Sequence, residues 1–121
     1  MRLLIVDDEP NMVYFLSLLL KESGNEVDEA LDGIEAIARI QNNSYDVAII
    51  DAIMPNMNGS EVCKFIKSHN PSTYIIGMSG YPDSLKKLKN EGADICFIKP
   101  FSIDQIKRAI KYQFQSSLSN S

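Results

Sequence analysis

Residues 46–59 read Asp-Val-Ala-Ile-Ile-Asp-Ala-Ile-Met-Pro-Asn-Met-Asn-Gly. Val47 to Ile50 are apolar without alternation. A strand buried on both faces has this pattern, and such strands are typical of the centre of a parallel sheet. The run stops at a carboxylate, Asp51. Pro55 and Asn58-Gly59 then mark a loop. One unit of the chain is thus a hydrophobic strand that delivers an acid into a loop.

The same unit recurs on either side. Upstream, Arg2 to Val6 reads as a buried strand and ends in Asp7-Asp8. Pro10 suits the first turn of a helix, whose inner face would carry Met12, Val13, Leu16, Leu19 and Leu20, with Gly24 as its stop. Glu26 to Ala30 is shorter and more polar, as befits a sheet edge. Asp32-Gly33 opens a helix carrying Ile34, Ile37 and Ile40, which Asn42-Asn43-Ser44 ends. Downstream, Val62, Phe65 and Ile66 face a third helix inward. Thr73 to Met78 is a fourth strand, followed by Ser79. A short helix with Leu85 and Leu88 comes next. Asp94 to Ile98 is the fifth strand, followed by Lys99-Pro100. Ser102 starts the last helix, Gln105 completes a capping box, and Ile103, Ile106 and Ile110 form its stripe.

Strict strand–helix alternation predicts an α/β fold with a parallel sheet and helices on both faces. The expected architecture is a doubly wound, flavodoxin-like (βα)5 three-layer sandwich with strand order 2-1-3-4-5. A chain of 121 residues has room for one domain. It is expected to occupy residues 1–115, with 116–121 a polar tail or the start of a linker.

Composition narrows the function. Hydrophobic residues are 45% and charged residues 23% of the chain, ordinary for a globular protein. No apolar run approaches eighteen residues, so no membrane span is expected. The short apolar start, cut off by Asp7-Asp8, is not a signal peptide, which points to the cytoplasm. Cys63 and Cys96 have neither metal-ligand nor redox spacing and read as small apolar filler. The net charge of −4 is divided unevenly: residues 1–61 sum to −9 and residues 62–121 to +5. The acidic half argues against nucleic acid as a direct ligand and is compatible with a cation site. Seven of the twelve basic residues lie between Lys86 and Lys111. They read either as solvated helix faces or as a surface for an acidic partner.

The polar strand ends collect the chemistry. Open parallel sheets bind ligands beyond the carboxyl ends of their strands, where the winding reverses. Asp7, Asp8, Asp51, Ser79 and Lys99 would meet there. Alone, each is an ordinary cap, turn or surface residue. Together, three carboxylates repel one another, which a hard divalent cation such as Mg2+ relieves. A lysine and a hydroxyl beside the cation would stabilise a phosphoryl group in transfer, and an aspartate can itself be the nucleophile.

These motifs resemble those of response-regulator receiver domains of two-component signalling. The resemblance is carried by Val-Asp7-Asp8-Glu-Pro, Ile-Ile-Asp51-Ala-Ile-Met-Pro-Asn-Met-Asn-Gly, Ser79-Gly and Lys99-Pro100-Phe, and covers residues 2 to about 115. It implies that Asp51 is the phosphoacceptor. Asp8, Asp51 and the main-chain carbonyl of Ile53 would ligate Mg2+, with Mn2+ as a substitute, and Asp7 would act through a coordinated water. Lys99 would pair with Asp51 and then with the phosphoryl oxygens. Ser79 would turn inward to bond them, and the Lys99–Pro100 peptide would be cis. The donor would be a histidine kinase or histidine phosphotransfer protein docking largely on the first helix. An output domain, a downstream protein or a second copy in a homodimer would engage the fourth helix, fifth strand and fifth helix. The domain would be no enzyme beyond catalysing its own phosphorylation and dephosphorylation.

The chain departs from that family at Cys96, where receivers carry Tyr or Phe. A thiol is much smaller than the ring whose inward movement reads out the hydroxyl's shift. Gly80 replaces the usual Ala. Ile53 and Tyr81 stand two residues past Asp51 and Ser79 and are access positions. Either they hinder the attacking water, or Tyr81 points into solvent. The rivals are a phosphohydrolase, which would want a second acid at Ile53, a flavin-binding domain, whose phosphate Asp7-Asp8-Glu9 would repel, and a phosphorylation-silent interaction module of the same fold.

Overall fold

In a computed structural model of the chain, residues 1–119 are described, with side chains through residue 114. Five strands, β1 (Arg2–Val6), β2 (Glu26–Ala30), β3 (Val47–Asp51), β4 (Tyr74–Ser79) and β5 (Ile95–Ile98), alternate with five helices. These are α1 (Pro10–Glu22), α2 (Gly33–Asn42), α3 (Gly59–His69), α4 (Pro82–Asn90) and α5 (Ile103–Ser119). The strands form one parallel sheet in the order β2-β1-β3-β4-β5. The three-layer α/β arrangement expected from the alternation is therefore the observed one. Helix α5 continues past Ser116, and residues 120–121 of the expected tail lie outside the described residues.

The alternation of side chains along each strand separates two cores. On one face Leu3, Ile5, Val47, Ile49, Ile76 and Met78 pack against Val13, Leu16 and Leu20 of α1 and Ile106, Ala109 and Ile110 of α5. On the other, Leu4, Val6, Ala48, Ile50 and Ile75 pack against α2, α3 and α4. All five residues of β3 are buried, which places Asp51 at the end of the central strand with apolar cover on both faces.

Local chemistry sets the helix starts. Asp32 caps α2 by accepting the Glu35 N–H at 2.7 Å, and Asn58 caps α3 by accepting that of Glu61 at 3.1 Å. Ser102 and Gln105 close the capping box of α5 in both directions, at 2.9 and 3.3 Å. The third and fourth strands, expected over 46–50 and 73–78, each lie one residue later, and the fifth starts one residue later but ends where expected; Asp46, Thr73 and Asp94 serve as brackets at the strand starts. Asp46 accepts the Arg2 N–H, Thr73 donates its hydroxyl to the Tyr45 carbonyl, and Asp94 accepts the Ile75 N–H, each at 2.8 Å.

Two expected inner faces need correction. Ile34 is exposed, and Ala36 and Ile40 carry the buried stripe of α2. In α1, Leu19 is only half-buried, while Ser17 is buried in the row with Val13, Leu16 and Leu20. Cys63 is buried in the α3 face of the core, the filler role expected of it.

Candidate functional site

The carboxyl ends of β1, β3, β4 and β5 bring the polar residues to one edge. Asp7 and Asp8 follow β1, Asp51 ends β3, Ser79 ends β4 and Lys99 follows β5. Gly59 helps shape the floor. A Cβ there would collide with the Asp51 carbonyl oxygen, so only glycine lets α3 begin against the end of β3. The Gly59 N–H donates to the Ala52 carbonyl at 3.0 Å, and the Ala52 N–H to that of Met78 at 2.9 Å. Asn56, with φ of 70°, turns the intervening loop in the left-handed region that Asn tolerates.

Oxygen atoms of Asp7, Asp8 and Asp51 all lie within 4.8 Å of one another. Asp7 and Asp51 are buried, and Asp8 is exposed at the mouth. Lys99 Nζ stands 3.1 Å from Asp7 Oδ2 and 3.5 Å from Asp51 Oδ1. The lysine thus bridges two carboxylates and is nearer to Asp7 than to Asp51. Burial, and then the neighbouring Asp7 carboxylate, push the Asp51 carboxyl up to about 6, against the pull of Lys99. Burial also works against the Lys99 charge, but the Asp51 and Asp7 carboxylates outweigh it and hold the ammonium above its ordinary pKa. One ammonium does not neutralise three carboxylates. The excess negative charge, the short oxygen separations and the exposed Asp8 fit a divalent cation.

A family model for the response regulator receiver domain matches residues 3–111. The chain belongs to that family. Among curated relatives, the response regulator ArlR of Staphylococcus saprophyticus is 34% identical over 112 residues, spanning 91% of this chain and 50% of its own length. The chain spans about half the length of the curated relatives it matches. Among solved structures, a CheY-like receiver domain protein from Methanospirillum hungatei superposes with a TM-score of 0.91 at 27% identity. It covers 99% of this chain and 98% of its own. The response regulator TrrA of Thermotoga maritima, solved in complex with Mg2+ and BeF, gives 0.83 at 35% identity, covering 92% and 96%.

Within this receiver domain the remaining expected positions are distributed unevenly. The Lys99–Pro100 peptide is cis. The Lys99 N–H donates to the Ser79 carbonyl at 2.8 Å, tying the ends of β4 and β5 together. Ser79 is buried, and its hydroxyl faces α4: Oγ lies 2.6 Å from Ser84 Oγ and accepts the Tyr81 N–H at 3.0 Å. Tyr81 is 67% and Ile53 50% exposed, so of the two readings of Tyr81 the structure favours the solvent-facing one. Cys96 is half-buried and directs Sγ at the Leu85 carbonyl of α4, 3.8 Å away. Ser84 was not foreseen from the sequence. Its only trace there is a hydroxyl five residues beyond Ser79, in the first turn of α4.

Proposed function

We propose that this receiver domain takes a phosphoryl group onto Asp51 from a phosphohistidine of a histidine kinase or histidine phosphotransfer protein. The observation that carries the proposal is the Asp7–Asp8–Asp51 cluster bridged by Lys99 at the carboxyl edge of the sheet. An Asp51 carboxylate oxygen attacks phosphorus, a P–O bond forms and the P–N bond breaks. The electron pair leaves on the imidazole nitrogen, which takes up a proton from water. Hydrolysis later returns the Asp51 carboxylate and inorganic phosphate. The domain therefore catalyses only its own phosphorylation and dephosphorylation.

Asp8, Asp51 and the Ile53 carbonyl would hold Mg2+, or Mn2+ in its place, and Asp7 would act through a water. The ion supplies positive charge that offsets the phosphoryl oxygens and aligns them for in-line transfer. Lys99 orients the Asp51 carboxylate and, after transfer, pairs with phosphoryl oxygens. Ser79 donates its hydroxyl to one of them. Ile53, in the acceptor loop, limits access of water to the acyl phosphate, while Tyr81 leads from Ser79 into α4 and Cys96 touches α4 at the Leu85 carbonyl.

The donor would dock on the α1 side. α4, β5 and α5, which carry half of the basic residues, would engage an output domain, a downstream protein or a second copy. The greater length of the curated response-regulator relatives supports coupling of the domain to an output segment. Among the described residues no helix is long and apolar enough to cross a membrane. A cytoplasmic location suits the phosphohistidine donor.

Intact mass after incubation with a small acyl-phosphate donor tests the proposal. The expected result is one added phosphoryl group that requires Mg2+ and is absent from Asp51→Ala. Equal incorporation by Asp51→Ala would contradict it.

A further inference from the structure

The hydrogen bonds around Ser79 decide where its single proton lies. Ser84 Oγ stands 2.8 Å from the Tyr81 carbonyl, which can only accept, so the Ser84 proton is directed there. The 2.6 Å contact between the two hydroxyls must then be donated by Ser79. Ser79 also accepts the Tyr81 N–H at 3.0 Å. In this arrangement the Ser79 hydroxyl has no proton left for a phosphoryl oxygen.

The same bonds hold the start of α4. Its N-cap residue, Tyr81, has no capping side chain, and Leu88 is its only buried residue. Leu88 and, in part, Leu85 pack into the core below the helix. A Cβ on Gly77 would lie 2.9 Å from Leu88 Cδ1 and 3.0 Å from Cys96 Sγ, so α4 settles closely over two small residues of β4 and β5. The hydrogen bonds of Ser79 and Ser84 tie its first turn to the end of β4.

We propose that Ser84 is a positioning residue for the phosphoryl site. It holds the Ser79 proton in the resting state. When Ser79 turns to a phosphoryl oxygen, it breaks its bonds to both Ser84 and the Tyr81 N–H. The first turn of α4 is thereby released without an aromatic ring at position 96. This rests on the reading of Asp51 and Ser79 as phosphoryl-site residues. Because part of the ligand's binding free energy is consumed in freeing Ser79, removing the Ser84 hydroxyl should tighten binding of a phosphoryl mimic.

The experiment measures the affinity of Mg2+ with beryllofluoride for the full chain and for Ser84→Ala, Ser84→Thr, Ser79→Ala and the Ser79→Ala/Ser84→Ala double variant. Ser84→Ala is expected to bind about three- to tenfold tighter, the scale of one net hydrogen bond. Ser84→Thr, which keeps the hydroxyl, should match the wild type. The tightening should vanish in the Ser79→Ala background, which separates positioning from general loosening of α4. Unchanged or weaker binding by Ser84→Ala, or the same gain without Ser79, overturns the inference while leaving the Asp51 site standing. Failure of the wild type to bind, or binding that survives Asp51→Ala, overturns the reading of the site and this inference with it.

Discussion

Asp28 and Asp51 are both part of the same sheet, yet their surroundings treat them in opposite ways. Asp28, on the edge strand β2, is satisfied. It accepts the Tyr45 hydroxyl at 2.6 Å and an Arg2 N–H at 3.3 Å, while Arg2 also reaches Asn43 at 2.7 Å and lies over the Tyr45 ring at 5.4 Å. The Tyr45 hydrogen bond, helped by Arg2 and Arg39, holds its carboxyl below the usual range in spite of some burial. Asp51, at the carboxyl edge, is buried beside another carboxylate and shares one lysine, and its carboxyl is pushed up to about 6. Where acids only hold structure together, each finds a partner. Where they are left in conflict, the chain is poised to gain positive charge from outside.

The largest effect that tests this contrast is on the stability of the metal-free domain. The Asp51 carboxyl rises from its ordinary 3.8 to about 6 on folding, so folding disfavours its ionised form. The cost is present above pH 6 and absent below 3.8, where both states are protonated. Asp51→Asn should therefore stabilise the domain by about 2 kcal/mol at pH 7.5, and the gain should fade as the pH falls through that window. Urea unfolding at several pH values in a metal chelator checks it. A destabilised Asp51→Asn at neutral pH would place Asp51 in the same class as Asp28.

Next in size is the coupling of protons to metal. A proton on Asp51 competes with Mg2+, so apparent affinity should fall about tenfold between pH 7 and pH 5. Calorimetric titration at the two pH values measures it, and an affinity independent of pH would show that Asp51 does not take part in binding.

At the satisfied end, Tyr45→Phe should cost about 1 kcal/mol, since the bonded carboxylate is partly exposed. Because Asp28 has a lowered carboxyl pKa, this contribution is present above its ordinary value of 3.8 and is lost as pH falls through the folded value. Urea midpoints of wild type and Tyr45→Phe should thus converge as the pH falls below 3.8. A constant gap would assign the effect to packing rather than to the Asp28 charge.

The smallest effect concerns the thiols. Burial pushes Cys63 up to about 12, so it should resist alkylation in the folded protein, while half-buried Cys96 reacts first. Mass mapping after brief alkylation gives the order, and faster labelling of Cys63 would contradict the packing of α3.

The sheet order, the meeting of Asp7, Asp8, Asp51 and Lys99, and the place of Ser79 at the end of β4 were legible because they depend on strand order and on which residue ends each strand. Apolar runs that stop at polar residues display this directly. Details set by side-chain direction were not legible. Ile34 looked like part of a stripe, but the start of α2 turns it outward and the smaller Ala36 faces the core. Lys99 was expected beside Asp51 and lies nearer Asp7, a matter of where the ammonium comes to rest between two acids. The Ser79–Ser84 bond depends on how α4 sits over β4 and β5, and no spacing rule encodes it.

Borohydride trapping after brief exposure to an acyl-phosphate donor, followed by peptide mapping, tests the central claim most directly. Reductive conversion is expected at Asp51 alone, and only when Mg2+ is present. Modification elsewhere, modification of Asp51 without Mg2+, or none at all would contradict it, and the last result would favour a silent interaction module built on the same sheet.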